Sequence, residues 1–66
     1  MSITVNGKTV EHVNQETVTE LLKRMHYTFP LIVVKINGKL VKKEEYNKTI
    51  IADNAKIKAI HLISGG

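Results

Sequence analysis

Two Asn-Gly pairs, Asn6-Gly7 and Asn37-Gly38, constrain what this chain can fold into more than any other feature. Both residues of such a pair tolerate the positive φ of a two-residue type I′ turn, whose twist matches the strands it joins. The flanking residues comply. Ile3-Thr4-Val5 alternates apolar and polar, and Thr9-Val10 resumes strand character, which predicts strands over about 2–5 and 8–12. Residues 31–36 form a β-branched run with Ile32, Val34 and Ile36 on one face, and it stops at the second pair. The likeness of segments 5–10 and 36–41 follows from shared turn chemistry and needs no internal duplication.

Between the hairpins, Thr17-Val18-Thr19-Glu20 has the form of a capping box, in which the threonine hydroxyl satisfies an orphan amide and the glutamate reaches back to the cap. A helix is expected to begin there. Val18, Leu21, Leu22 and Met25 fall at i, i+3, i+4 and i+7 and make one apolar stripe, while Glu20, Lys23 and Arg24 are expected to point away. The helix should fade near His26 or Tyr27, because Pro30 disfavours helical geometry at Phe29.

After the second hairpin, Lys42-Lys43-Glu44-Glu45-Tyr46 suits a short helical turn that drops Tyr46 onto the edge of the fold, and Ile50-Ile51 anchors the next loop. Asp53-Asn54 supplies a turn in which asparagine takes the left-handed conformation, so a last strand starts near Lys56. In that strand Ile57, Ala59 and His61 share one face, and Lys56, Lys58, Ile60 and Leu62 share the other. If the first face covers the helix, Ile60 and Leu62 are displayed outward beside Lys58. Two readings then stay open: a docking patch on a free sheet face, or two faces that are each partly covered by loops.

Length bounds the function. Sixty-six residues make one domain, which buries only about 60% of the surface its unfolded chain exposes, so a self-contained enzyme pocket is not expected. There is no cysteine, hence no disulfide, thiolate metal site or cysteine nucleophile. Ser2, Ser64, Asp53, His12, His26 and His61 form no local nucleophile–base motif, and the histidines lack the spacing of zinc ligands; each reads as a surface or half-buried residue. Glu44-Glu45 reads as a solvated charge pair, and Gly7 and Gly38 serve turns rather than a phosphate cradle. No segment approaches the roughly 18 apolar residues that would span a bilayer, and nothing resembles a signal peptide, so a soluble cytoplasmic protein is expected.

Ten Lys+Arg against six Asp+Glu give a net charge of +4. With a single arginine and only Tyr27, Phe29 and Tyr46 as aromatics, the basic surface reads as solvated rather than as a nucleic-acid site. An acidic protein partner fits the same charge.

Ser64-Gly65-Gly66 follow the apolar segment 57–63 without a linker. Two glycines leave no Cβ to block close approach, so such a tail can thread a narrow channel and set its carboxylate beside another protein's catalytic groups. Together with the order hairpin, capped helix, hairpin, short turn and last strand, this gives the arrangement of the ubiquitin-like β-grasp proteins. The expected architecture is therefore α+β: a mixed four- to five-stranded sheet packed on one main helix, with residues 1–63 as the β-grasp domain and 64–66 as a flexible tail.

Across essentially its whole length the chain resembles the ThiS sulfur carriers of thiamine biosynthesis. The likeness is carried by Glu16-Thr17-Val18 with Leu21-Leu22, by Val34-Lys35-Ile36-Asn37-Gly38 with Val41, by Glu44-Glu45-Tyr46, and by Ile60-His61-Leu62-Ile63-Ser64-Gly65-Gly66. Where many relatives have Asp-Gly-Asp before the final strand, this chain has Asp53-Asn54-Ala55, and asparagine still suits the turn. The resemblance implies a carrier that is not itself an enzyme and binds no cofactor or metal. A ThiF-like adenylyltransferase would use ATP and magnesium to make an acyl-adenylate at Gly66. A persulfide sulfur would convert this to a thiocarboxylate, which a ThiG-like thiazole synthase would draw on for thiazole formation. Ser64, Gly65 and Gly66 would be the tail, and Ile60, Leu62 and Lys58 the partner-binding residues. The small subunit of molybdopterin synthase and a ubiquitin-like modifier joined to lysines through Gly66 are the alternatives among related proteins. A basic β-grasp module that binds RNA is the alternative outside that class.

Overall fold

The computed structural model describes residues 1–27 and 31–62. Five strands and one α-helix occur in the order β1 (Ser2–Val5), β2 (Lys8–Glu11), α1 (Val18–Arg24), β3 (Ile32–Ile36), β4 (Lys39–Val41) and β5 (Lys56–His61), with a 3-10 turn at Lys43–Glu45 between the last two strands. The sheet order is β2-β1-β5-β3-β4, so the last strand lies in the middle. It runs parallel to β1 and antiparallel to β3, and the outer pairs are the two hairpins. The expected β-grasp fold is the observed one, with five strands.

Each hairpin turns as the Asn-Gly pairs require. Asn6 and Gly7 have φ of 52° and 83°, and Asn37 and Gly38 have 53° and 84°, the left-handed values of a type I′ turn. Asn54 likewise adopts φ 66° in the turn before β5.

Helix α1 starts at the expected capping box: Thr17 Oγ1 accepts from the Glu20 amide at 3.2 Å, and the Thr17 amide donates to Glu20 Oε1 at 3.0 Å. The remaining orphan amides go to the loop before β5, where Val18 N–H donates to the Thr49 carbonyl and Thr19 N–H to that of Tyr46. Every donor of the first turn is thereby satisfied. The far end departs from expectation in its cause. His26, at φ 60°, takes the left-handed position, His26 N–H bonds the Lys23 carbonyl, and Tyr27 N–H bonds that of Leu22. These two bonds form a Schellman motif, so the helix is closed by its own carbonyls three residues before the Thr28-Phe29-Pro30 segment is reached.

Val18, Leu21 and Leu22 bury the apolar stripe of α1 against Ile3, Val5, Val34 and Ile57 on the inner face of the sheet, with Ile51 and Ala55 closing one side. A fully buried side chain of this size contributes about 1.5–3 kcal/mol. Tyr46, expected at the edge, belongs to this core. The carbonyl of Tyr46 accepts from α1, which draws the 3-10 turn over the helix start, and the phenol hydroxyl donates to the Ile32 carbonyl at 3.0 Å. Of the Ile50-Ile51 pair, only Ile51 is the buried anchor.

Arg24 does not point away as its place on the helix suggests. Its Nε and Nη2 each reach the Glu16 carboxylate at 2.9 Å, and Nη2 also donates to the Glu11 carbonyl. Glu16 is 6% exposed, and its own carbonyl accepts from Ile51 N–H. Hydrogen bonding to Glu16 raises the Arg24 pKa against the opposing effect of desolvation, so the guanidinium stays charged. This fork joins the end of β2, the loop before α1, the last turn of the helix and the loop before β5. Arg24→Met should leave Glu16 buried without its partner. Because the Arg24 side chain is 32% exposed, the expected loss is about 2–3 kcal/mol rather than the larger figure for a fully buried pair. Glu16→Gln, which keeps a hydrogen-bonding head, should cost less. Urea unfolding of both variants measures this, and a loss below about 0.5 kcal/mol for Arg24→Met would show the fork to be incidental.

Candidate functional site at the end of the central strand

Strand β5 carries the residues singled out for function, and its backbone is held from both sides. Towards β3 the ladder runs from Ile36–Ile57 through Val34–Ala59 to Ile32–His61, and Leu62 N–H continues it to the Leu31 carbonyl at 2.9 Å. Towards β1 the parallel ladder is short, covering Thr4–Lys56 and Val5–Ile57, with Asn6 N–H donating to the Ile57 carbonyl.

Beyond Val5 the chain turns away, and a side chain takes over. The Asn6 carboxamide accepts from Ala59 N–H at 2.9 Å and donates to the Ala59 carbonyl at 3.1 Å, the pairing a strand residue would make with its own amide. The other turn does the same at the opposite end. Asn37 Oδ1 accepts from Lys56 N–H at 2.9 Å, and Asn37 N–H donates to the Lys56 carbonyl at 2.8 Å. Both asparagines were legible as turn formers. Their second use, clamping β5 from opposite edges, had no signal in local sequence because the contact with Ala59 spans 53 residues.

The register settles which face is free. Val33 stands opposite Ile60 and Lys35 opposite Lys58, on the side of the sheet away from α1. Ile60 is 41% exposed, Leu62 49% and Leu31 47%, so this face is open rather than covered by loops. The outward direction expected for Lys58, Ile60 and Leu62 is the one observed. Leu31 and Val33, which complete the apolar patch from β3, were missed because a β-branched run shows no alternation to mark its outer side. The tail residues Ser64, Gly65 and Gly66 lie outside the described residues.

The three histidines are apart from one another in role. His12 Nε2 lies 2.9 Å from the Ile51 carbonyl oxygen, His26 closes the helix, and His61 is exposed on β5. Among the described residues no three His, Asp or Glu side chains gather as a metal site would require, and no helix is long and apolar enough to cross a membrane.

Comparison with known proteins agrees with this geometry. The profile of the ThiS family matches residues 3–66. The crystal structure of a thiamine biosynthesis protein (ThiS) from Geobacter metallireducens superposes with a TM-score of 0.80 at 28% identity, covering 100% of both chains. An NMR solution structure of a thiamine biosynthesis protein from Geobacter metallireducens gives a TM-score of 0.76 at 30% identity, covering 100% of this chain and 88% of the other. A search of curated protein sequences found no significant match.

Asn6→Gly keeps the backbone freedom the turn needs while removing the carboxamide, which isolates the clamp on β5. It should lower stability by about 1 kcal/mol and speed hydrogen exchange at the Ala59 amide, leaving that of Val34 tied to global unfolding. Asn6→Asp, which can still accept from Ala59 N–H, should fall between. Unchanged exchange at Ala59 in the glycine variant would remove the clamp from the account.

Proposed function

The chain belongs to the ThiS family, and from that premise we propose that it is a sulfur carrier whose reacting group is the Gly66 carboxyl. The observation that carries the reading is the family match, which runs through the Gly-Gly tail, on a fold whose central strand leads into that tail. Similarity to structures of thiamine biosynthesis proteins favours thiazole formation over molybdopterin synthesis as the destination of the sulfur.

A C-terminal carboxyl has a pKa of about 3.5, so at neutral pH it is an anion and a poor acyl donor. Activation must come from outside. A ThiF-like adenylyltransferase would spend ATP, with magnesium, to make the Gly66 acyl-adenylate. A persulfide's outer sulfur would displace AMP to give an acyl disulfide, and attack of a thiol on its S–S bond would release the thiocarboxylate and leave a disulfide. A ThiG-like thiazole synthase would then receive the sulfur. The carrier supplies no base or nucleophile of its own; it delivers a carbonyl. Three extended residues reach only about 10 Å, so the globular body must dock close to the partner's active site. Ile60 and Leu62, with Lys58 beside them, are the docking base in this reading, because they lie on the open face nearest the tail.

Incubation with such an adenylating partner, ATP, magnesium and a sulfur source, followed by intact mass measurement, tests the chemistry. Exchange of one oxygen for sulfur is expected in the full chain and not after deletion of Gly66, which should leave the fold intact. No mass change beside a partner that modifies a control carrier would sink the proposal. For the docking base, Ile60→Asp or Leu62→Asp should weaken partner binding by about tenfold or more with the thermal midpoint little changed, read by calorimetry. Wild-type affinity in both variants would place the interface elsewhere.

A further inference from the structure

The open face has an apolar zone nearest the tail and a cationic step behind it, the latter flanked on β4 by the exposed Leu40 opposite Lys35. Nearest the tail, Leu31, Val33, Ile60 and Leu62 form the apolar zone. One ladder step back, roughly 7 Å along the strands, Lys35 and Lys58 stand directly opposite each other. Directly opposed residues place their Cβ atoms only about 4.5–5.5 Å apart, and like charges at that position oppose sheet formation. Among the described residues the ion pairs are Met1–Asp53 and Glu16–Arg24, and neither lysine takes part in one. Strands β3 and β5 contain no acidic residue, and Lys56 extends the positive charge further along the same face.

We infer that Lys35 and Lys58 receive carboxylates of an acidic protein partner, whose own apolar patch covers Leu31, Val33, Ile60 and Leu62. The inference rests on the docking reading given above and adds to it the partner's charge and the role of Lys35. A second copy of this chain suits the face less well, because β1, β3, β4 and β5 carry no carboxylate with which to pair the lysines. Nucleic acid suits it less well than protein. The only arginine is engaged by Glu16 on the other side of the molecule, no described aromatic lies on this face, and stacking or bidentate phosphate contact would need those groups. Charge of this kind acts at long range, so its main effect falls on the rate of encounter rather than on the lifetime of the complex.

The test uses the full chain and the purified adenylating partner, with association and dissociation followed by stopped flow between about 50 and about 500 mM salt. At low salt K35E/K58E should associate about tenfold or more slowly than wild type, and the rates should converge at high salt. Dissociation should change by less than about twofold, whereas Ile60→Asp should act mainly on dissociation. K35Q/K58Q should be intermediate. Both lysines are exposed, and circular dichroism checks that the variants fold. If Ile60→Asp weakens binding but the lysine variants keep wild-type association and salt dependence, the electrostatic inference is overturned and the docking reading stands. If wild type fails to bind, or Ile60→Asp binds as wild type does, the docking reading fails and this inference falls with it. Tighter binding of wild type to a single-stranded oligonucleotide than to the partner, lost in K35E/K58E, overturns the assignment in favour of nucleic acid.

Discussion

The backbone of β5 is the element on which the other parts converge. It is the only strand with a neighbour from each hairpin, parallel on one side and antiparallel on the other. A parallel ladder of two residue pairs would be a weak hold on the strand that leads into the tail. The Asn6 carboxamide lengthens it by imitating a peptide group at Ala59, and Asn37 secures the other edge at Lys56. The turns that reverse the chain thus also fasten the strand laid down last, which lets a small sheet hold its centre firmly.

A second constraint concerns the helix. Seven residues span only about 10 Å, too short to be stable alone, so α1 depends on what meets its ends and its apolar face. Its amides are answered by Thr17, Glu20 and the loop before β5, and its carbonyls by a Schellman closure at His26 and Tyr27. Arg24 then ties the last turn back to Glu16 and Glu11. The long loops of the molecule are stitched to the helix by these bonds as well as by the burial of Tyr46, Ile51 and Ala55 in the shared core.

Covering one side of the sheet leaves the other to solvent, and that asymmetry links fold to function. The residues on the open side near the tail are apolar, and those one step behind are cationic. Lys58 and Ile60 stand on that side because the central strand carries them, and the proposed docking role rests on that placement.

Much of this was legible in the residues themselves. Asn-Gly pairs, the Thr17–Glu20 box, the i, i+3, i+4, i+7 stripe and the alternation of β5 are local patterns, and local sterics and periodicity decide them before any distant contact forms. The strand order, the clamps from Asn6 and Asn37, the turn of Arg24 toward Glu16, the burial of Tyr46 and the addition of Leu31, Val33 and Lys35 to the open face were not. Each of these depends on which segments meet, and those meetings join residues far apart in the chain, where only burial and hydrogen bonding between segments select the partner. Local patterning specified the elements and where they begin and end. Only the packing of distant segments put the last strand in the middle of the sheet, and with it chose which side chains share its open face.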